Sequence, residues 1–276
     1  MACVAMRDGK PRIDKLGTFV EVFAGGLPGD DTEIANCMQS LDDAVLKENS
    51  SVTPQALSNA HGDWYEWLLA VRAWNIHVTE KTCKVALTMP NISQFDVAAL
   101  YVKDLKEMVV HLRDEVRNTS QVSLITSNPD FVILRHDSIE NLELPRPIGA
   151  MNQDTIRKLD GAYASFAGKC EFESIVGFLA AKYSFRPDRR LQIPHEGSLM
   201  KALYVHLQTR LWVTNPPGLT YYAVAAEVGD ADREALTTVA THSITTVLSL
   251  PQKAVDAVFE TKKLTDIDET FKQILA

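Results

Sequence analysis

The chain has 276 residues, 46% of them hydrophobic and 23% charged, which is enough apolar material for a packed core and excludes disordered, collagen-like and low-complexity classes. Its 28 Lys and Arg against 36 Asp and Glu give a net charge of -8, which argues against a uniformly basic, polyanion-binding surface but leaves local basic patches open. Cys3, Cys37, Cys83 and Cys170 are scattered without disulfide or zinc spacing, and the longest apolar run, Ile175 to Ala181 with one glycine in it, is far too short for a membrane span, so a soluble protein of the reducing cytoplasm is expected.

In chain order, Asp31 to Asn49 carries Ile34, Met38, Leu41 and Val45 at helical spacing. A second helix is predicted to begin at Gly62-Asp63 and run through WYEWLLAVRAWNI. Lys84 to Met89 reads as a short strand, and Phe95 to Arg117 as one long amphipathic helix with Val97, Leu100, Leu105, Val109 and Leu112 near one face. Val122 to Thr126 and Phe131 to Leu134 are β-rich and flank the turn-forming Ser127-Asn128-Pro129-Asp130. A Pro-containing loop over 144–148, a helix near 153–166 and a strand over 175–185 follow. A helix over 194–209, strands near 211–214 and 220–228, and helices to the C-terminus complete the reading. Strands alternating with helices predict an α/β fold, a central mixed sheet flanked by helices. Residues 1–60 are expected to be a helical portion packed on a core of residues 61–276, and the whole can form one continuous domain.

Phosphodiester hydrolysis needs one or two hard divalent cations held by carboxylates, with a positive group to orient the attacking water. The sequence offers Asp130 at a strand edge, Lys182 in a later strand, and Glu196 with thirteen residues between it and that lysine. Glu196 shares the helical register of Leu199, Met200, Leu203 and Leu207, which turns it toward the sheet rather than toward water. Ala180, two residues before Lys182, cannot bind a metal, so the second carboxylate of such a site must arrive from elsewhere. Glu66 is a third candidate. Each residue also has a plainer reading: Asp130 as a turn-former, Glu196 as a helix-start acid, Asp63-x-x-Glu66 as a capping box, and Lys182 as an edge-strand lysine.

Between Lys182 and Arg190 stand four basic residues and one acid. In Arg186-Pro-Asp188-Arg189-Arg190, arginine forks match guanine O6 and N7 and the aspartate can accept from cytosine N4, so this short segment can read adjacent G·C pairs. A solvated charged turn is the alternative.

Together, Gly62-Asp-Trp-Tyr-Glu-Trp-Leu68, Leu124-Ile-Thr-Ser-Asn-Pro-Asp-Phe131, Phe185-Arg-Pro-Asp-Arg-Arg-Leu-Gln192, His195-Glu-Gly-Ser-Leu-Met-Lys-Ala-Leu203, His206-Leu-Gln-Thr-Arg210 and Val239-Ala-Thr-His-Ser-Ile244 resemble the CCGG-core type II restriction endonucleases. These are the NgoMIV- and SgrAI-like enzymes, and the resemblance is closest to the R-CCGG-Y group such as BsrFI. It covers about residues 60–260 and implies a PD-(D/E)xK restriction-endonuclease core. Asp130, Glu196 and Glu66 resemble the family's metal-binding acids and Lys182 its catalytic lysine. Arg186, Asp188 and Arg189 resemble the CCGG-reading residues, Arg210 a reader of the outer purine-pyrimidine pair, and Trp212 a residue between dimers in tetrameric members. Ala180 departs from the small polar residue usual in relatives. The implied activity is Mg²⁺-dependent cleavage of double-stranded DNA by a homodimer or homotetramer, in a system that also holds a DNA methyltransferase. An inactive DNA-binding relative and a Mg²⁺ phosphohydrolase of small substrates are the alternatives. The second leaves Arg186 to Arg190 without a role.

Overall fold

The computed structural model describes residues 3–7, 9–124, 126, 128–135, 142–244 and 251–276. The chain starts not with a helix but with an antiparallel hairpin, β1 (Val4–Arg7) and β2 (Lys10–Ile13). Helix α1 (Lys15–Val22) follows, opened by the Asp14 carboxylate, which accepts from the Gly17 amide at 2.9 Å. Helix α2 (Ile34–Glu48) buries Ile34, Met38, Leu41 and Val45, the four positions of its apolar stripe.

Helix α3 (Pro54–Glu80) begins eight residues before its expected start, because Thr53 caps it from the Ala56 amide and Pro54 occupies the first turn, where a missing N–H is harmless. Gly62, Asp63 and Glu66 are therefore interior helix residues, and the capping-box reading of Asp63 and Glu66 is wrong. The same helix runs through residues 60 and 61 without a break. Its Trp64, Tyr65 and Trp74 are among the largest fully buried side chains.

After β3 (Lys84–Thr88), the single helix expected over 95–117 is split into a 3-10 turn, Val97–Leu100, and α4 (Lys103–Ser120). Backbone pairing diverts the chain between them: Tyr101 bridges Cys170, and the Val102 amide donates to the Cys170 carbonyl at 3.0 Å. The expected strand over 122–126 is absent at its described positions, where Thr126 instead accepts from Arg113 of α4 at 3.1 Å. Ile125 and Ser127 lie outside the described residues. Strand β4 (Phe131–Arg135), helix α5 (Gln153–Gly161) with its 3-10 extension Ala162–Phe166, and β5 (Ile175–Ser184) match expectation.

Helix α6 (Arg189–Arg210) starts five residues early and carries Pro194 inside it. Its first turn is anchored by Arg190, whose Nε donates to the buried Asp232 at 2.7 Å. The strand expected over 211–214 does not form: α6 runs to Arg210, and Trp212 takes a left-handed φ of +56° with 88% of its surface exposed. Strand β6 (Thr220–Glu227), helix α7 (Asp230–Leu236), a strand the sequence reading missed, β7 (Ala257–Glu260), and helix α8 (Leu264–Leu275) finish the chain.

The main sheet has the order β3-β4-β5-β6-β7, antiparallel from β3 to β5 and parallel from β5 to β7, which is the mixed sheet expected. Alternation along β5 divides its two faces. Tyr183 meets His61 and Tyr65 of α3, while Leu179 pairs with Phe131, whose ring lies 6.3 Å from Phe271 of α8. The opposite face carries Phe178, Ala180 and Lys182, and through the parallel register Tyr221, which packs against α6 at Gly197.

Gly197 makes that packing possible. A Cβ there would stand 2.3 Å from the Ala254 carbonyl oxygen and 3.1 Å from the Tyr221 ring. In an exposed helix interior Gly→Ala gains about 1 kcal/mol; here the sign reverses. Gly197→Ala is expected to lose about 1–3 kcal/mol in urea denaturation, the range for overpacking a filled core.

Candidate active site

Asp130 immediately precedes β4, and its carbonyl accepts from the Met89 amide at 2.8 Å, which pins it to the end of β3. Its Oδ2 accepts from the Ala181 amide at 2.7 Å and from Lys182 Nζ at 2.5 Å. Both side chains of this pair are mostly buried, with 19% and 24% of their surface exposed. The edge-strand reading of Lys182 therefore fails, since β5 is the central strand and the lysine is held by an acid from its neighbour.

Glu196 reaches the same region from α6. It is buried, as its register with Met200, Leu203 and Leu207 requires, and its Oε2 accepts from the Tyr221 hydroxyl at 2.7 Å. Glu66 enters from the middle of α3. The charges of these groups act on each other. Burial alone would lower the Lys182 pKa, but the negative charges of Asp130, Glu66 and Glu196 hold it above its ordinary value. Burial and then the charge of Asp130 push the Glu66 carboxyl well above the usual carboxylate range, against the opposing pull of Lys182.

Two clefts open on this cluster and share Glu66. One, of about 380 Å³, is lined by Ser58, Asn59, Gly62, Glu66, Lys182, Arg186 and Arg189 among others. The second, of about 450 Å³, has Asp63, Asp160, Thr88 and Tyr163 in its wall. Burial raises the Asp160 carboxyl to about 6, the Trp67 indole that donates to it works in the opposite sense, and the Asp63 charge adds to the rise.

Of Arg186, Asp188, Arg189 and Arg190, only Arg190 is tied to a remote partner; Asp188 and Arg189 pair locally, as in a charged turn. Arg186 is exposed at the cleft wall; its carbonyl accepts from the Arg189 amide at 2.9 Å, while its guanidinium makes no hydrogen bond or ion pair with the described residues. Asp188 occupies the N-cap position of α6 but makes no capping bond, and it stands 3.7 Å from Arg189 Nε. Arg189 also donates to Gln192. Arg190 is spent on Asp232 and is structural. Arg210, at the far end of α6, lies roughly 30 Å along the helix from Arg189 at 1.5 Å per residue, and pairs loosely with Glu115 at 3.9 Å. The structure brings neither Arg210 nor Trp212 to the cleft. Sequence reading missed Ser58, Asn59 and Tyr221. Tyr221 gave no signal, because a tyrosine in a β-rich run reads as an ordinary strand former.

A mixed sheet with an acid-lysine pair at its central strand, a second acid on the helix behind it and arginines on the adjoining cleft wall defines the restriction-endonuclease class. Residues 31–276 match the family described as Bse634I, the Cfr10I/Bse634I restriction endonucleases. The type II restriction enzyme Cfr10I of Citrobacter freundii is 40% identical over 262 residues, 92% of each protein. The type IIF restriction endonuclease Bse634I, solved with cognate DNA, superposes with a TM-score of 0.89 at 33% identity, covering 99% of this chain and 98% of that one. A second Bse634I structure gives 0.87 at 33% identity, with 99% and 97% covered. The chain belongs to the Cfr10I/Bse634I family and is a type II restriction endonuclease. Among the described residues no helix is long and apolar enough to cross a membrane.

Proposed function

We propose that this enzyme hydrolyses duplex DNA at a palindrome with a CCGG core, R-CCGG-Y, cutting before the first C to leave four-base 5′ overhangs, with Mg²⁺ as cofactor. The observation that carries the reading is the Asp130–Lys182 pair, on whose lysine the charges of Glu66 and Glu196 also act, beside a cleft lined by Glu66, Lys182, Arg186 and Arg189. The relative solved on cognate DNA supports duplex DNA as the ligand.

The donor set suits a hard divalent cation. Several oxygen acids share one lysine: Asp130 bonds it, and the charges of Glu66 and Glu196 act on it. Mg²⁺ is held by one or two carboxylates and completes its shell with water and phosphate oxygens; among the described residues no three acidic, cysteine or histidine side chains gather closely enough to hold an ion by themselves. Asp130 and Glu196 would hold the ion, with Glu66 beside them, and the bound ion supplies Lewis-acid charge at the scissile phosphate. Lys182 Nζ orients the attacking water and offsets negative charge growing at phosphorus, and the 3′ oxygen leaves in line. Arg186 and Arg189 read guanine edges, and Asp188 a cytosine amino group.

Each subunit reads half of the palindrome, so the working unit is at least a two-fold dimer. Trp212, exposed at the end of α6, serves the contact between two dimers in a homotetramer. Arg210, two residues away, belongs with that surface rather than with the outer base pair. A DNA methyltransferase of the same specificity protects the host's own sites without touching this chain. Plasmid incubated with the enzyme and Mg²⁺ is expected to yield fragments whose sequenced ends carry 5′-CCGG after a purine. Ends with another core, or no cutting, would remove the assignment.

A further inference from the structure

Glu196 is 7% exposed, and the hydroxyl of the fully buried Tyr221 donates to it at 2.7 Å. Three features put that hydroxyl in place. The register of β5 and β6 sets Tyr221 opposite Phe178, on the face that carries Lys182. The missing side chain of Gly197 lets the ring lie against α6 one residue past the acid. The backbone of Tyr221 is clamped as well: its amide donates to Asp256 Oδ2 at 2.6 Å, and its carbonyl accepts from the Asp256 amide at 2.7 Å. Asp256 is in turn held by Lys201 of α6, 2% exposed, which donates to it at 2.8 Å and to the Lys253 carbonyl at 2.7 Å. Helix α6 thus fixes the strand residue through Lys201, and the strand residue fixes an acid of the same helix.

We propose that Tyr221 is a positioning residue of the metal site: its hydroxyl holds the Glu196 carboxylate in the orientation from which it takes the divalent ion beside Lys182, so that ion affinity depends on it. This rests on the reading of Glu196 as a metal-binding acid. The bond is buried and its acceptor is charged, which places it among the stronger hydrogen bonds and makes its loss felt at the acid rather than in solvent.

The test compares Tyr221→Phe, Glu196→Gln and the double variant as full chains. Tb³⁺ serves as a hard-cation probe, with luminescence excited through the protein's tryptophans. Its binding midpoint is read together with the Mg²⁺ concentration for half-maximal plasmid cleavage and with urea stability. Tyr221→Phe keeps the ring and its packing, so a folded protein is expected. Both midpoints should rise by about 10- to 100-fold, the equivalent of losing one hydrogen bond to a charged group, with cleavage recovering at high Mg²⁺. In the Glu196→Gln background the phenylalanine should add nothing. Tyr221→Phe with both midpoints unmoved overturns the proposal, even if stability or rate falls. Glu196→Gln with an unchanged Tb³⁺ midpoint is a different result: it removes Glu196 from the metal site and takes this inference with it.

Discussion

Asp130→Asn should stop strand cleavage, lowering the single-turnover rate by at least about a thousandfold, the upper end of the effect of removing one preorganised polar group, while CCGG duplexes still bind in Ca²⁺. The asparagine keeps an oxygen for the Ala181 amide, so the junction of β4 and β5 survives. It loses the charge that pairs with Lys182. Lys182 is then left mostly buried with weaker support, and the site loses an acid for its cation. Asp130→Ala should behave the same way in cleavage but lose more stability, since the Ala181 amide would also lose its partner. Gel shift and plasmid cleavage on one preparation check both halves. Normal cutting by the asparagine variant would take Asp130 out of the chemistry.

Arg186→Ala should weaken binding to CCGG duplexes by about 5- to 150-fold, the equivalent of 1–3 kcal/mol for one bidentate base contact, while binding to duplexes without the core changes far less. Arg186 is the cleaner test. It is exposed and its guanidinium has no partner among the described residues to strand, whereas Arg189 also bonds Gln192 near the start of α6. Arg190→Ala is the matched control. Its guanidinium holds Asp232 in place, so the expected loss is stability without selectivity between the two duplexes. Equal weakening on both duplexes by Arg186→Ala would show that it touches phosphate and not base edges.

Where apolar spacing is regular and partners are near in sequence, the fold was legible. Helix α2 was predicted from Ile34, Met38, Leu41 and Val45, and β5 from its continuous apolar run, the mark of a strand buried on both faces. Reading failed where the deciding partner is remote. The break between the 3-10 turn and α4 depends on Cys170, some seventy residues on, and the early start of α6 is held by Asp232. Strand β7 has four residues and depends on β6 for its pairing. The candidate site was legible as residue types and order, because acids and a lysine in a strand core call for one another. Tyr221 was not, because its role depends on a helix lying close enough to be reached, which only a glycine at 197 permits.

The sheet changes from antiparallel to parallel at β5, and the acids that surround Lys182 come from both halves and from α3. Antiparallel neighbours close early in a growing polypeptide; parallel ones wait for a long crossover to be synthesised. A nascent chain that has joined only β3, β4 and β5 has Asp130 and Lys182 but no seated Glu196.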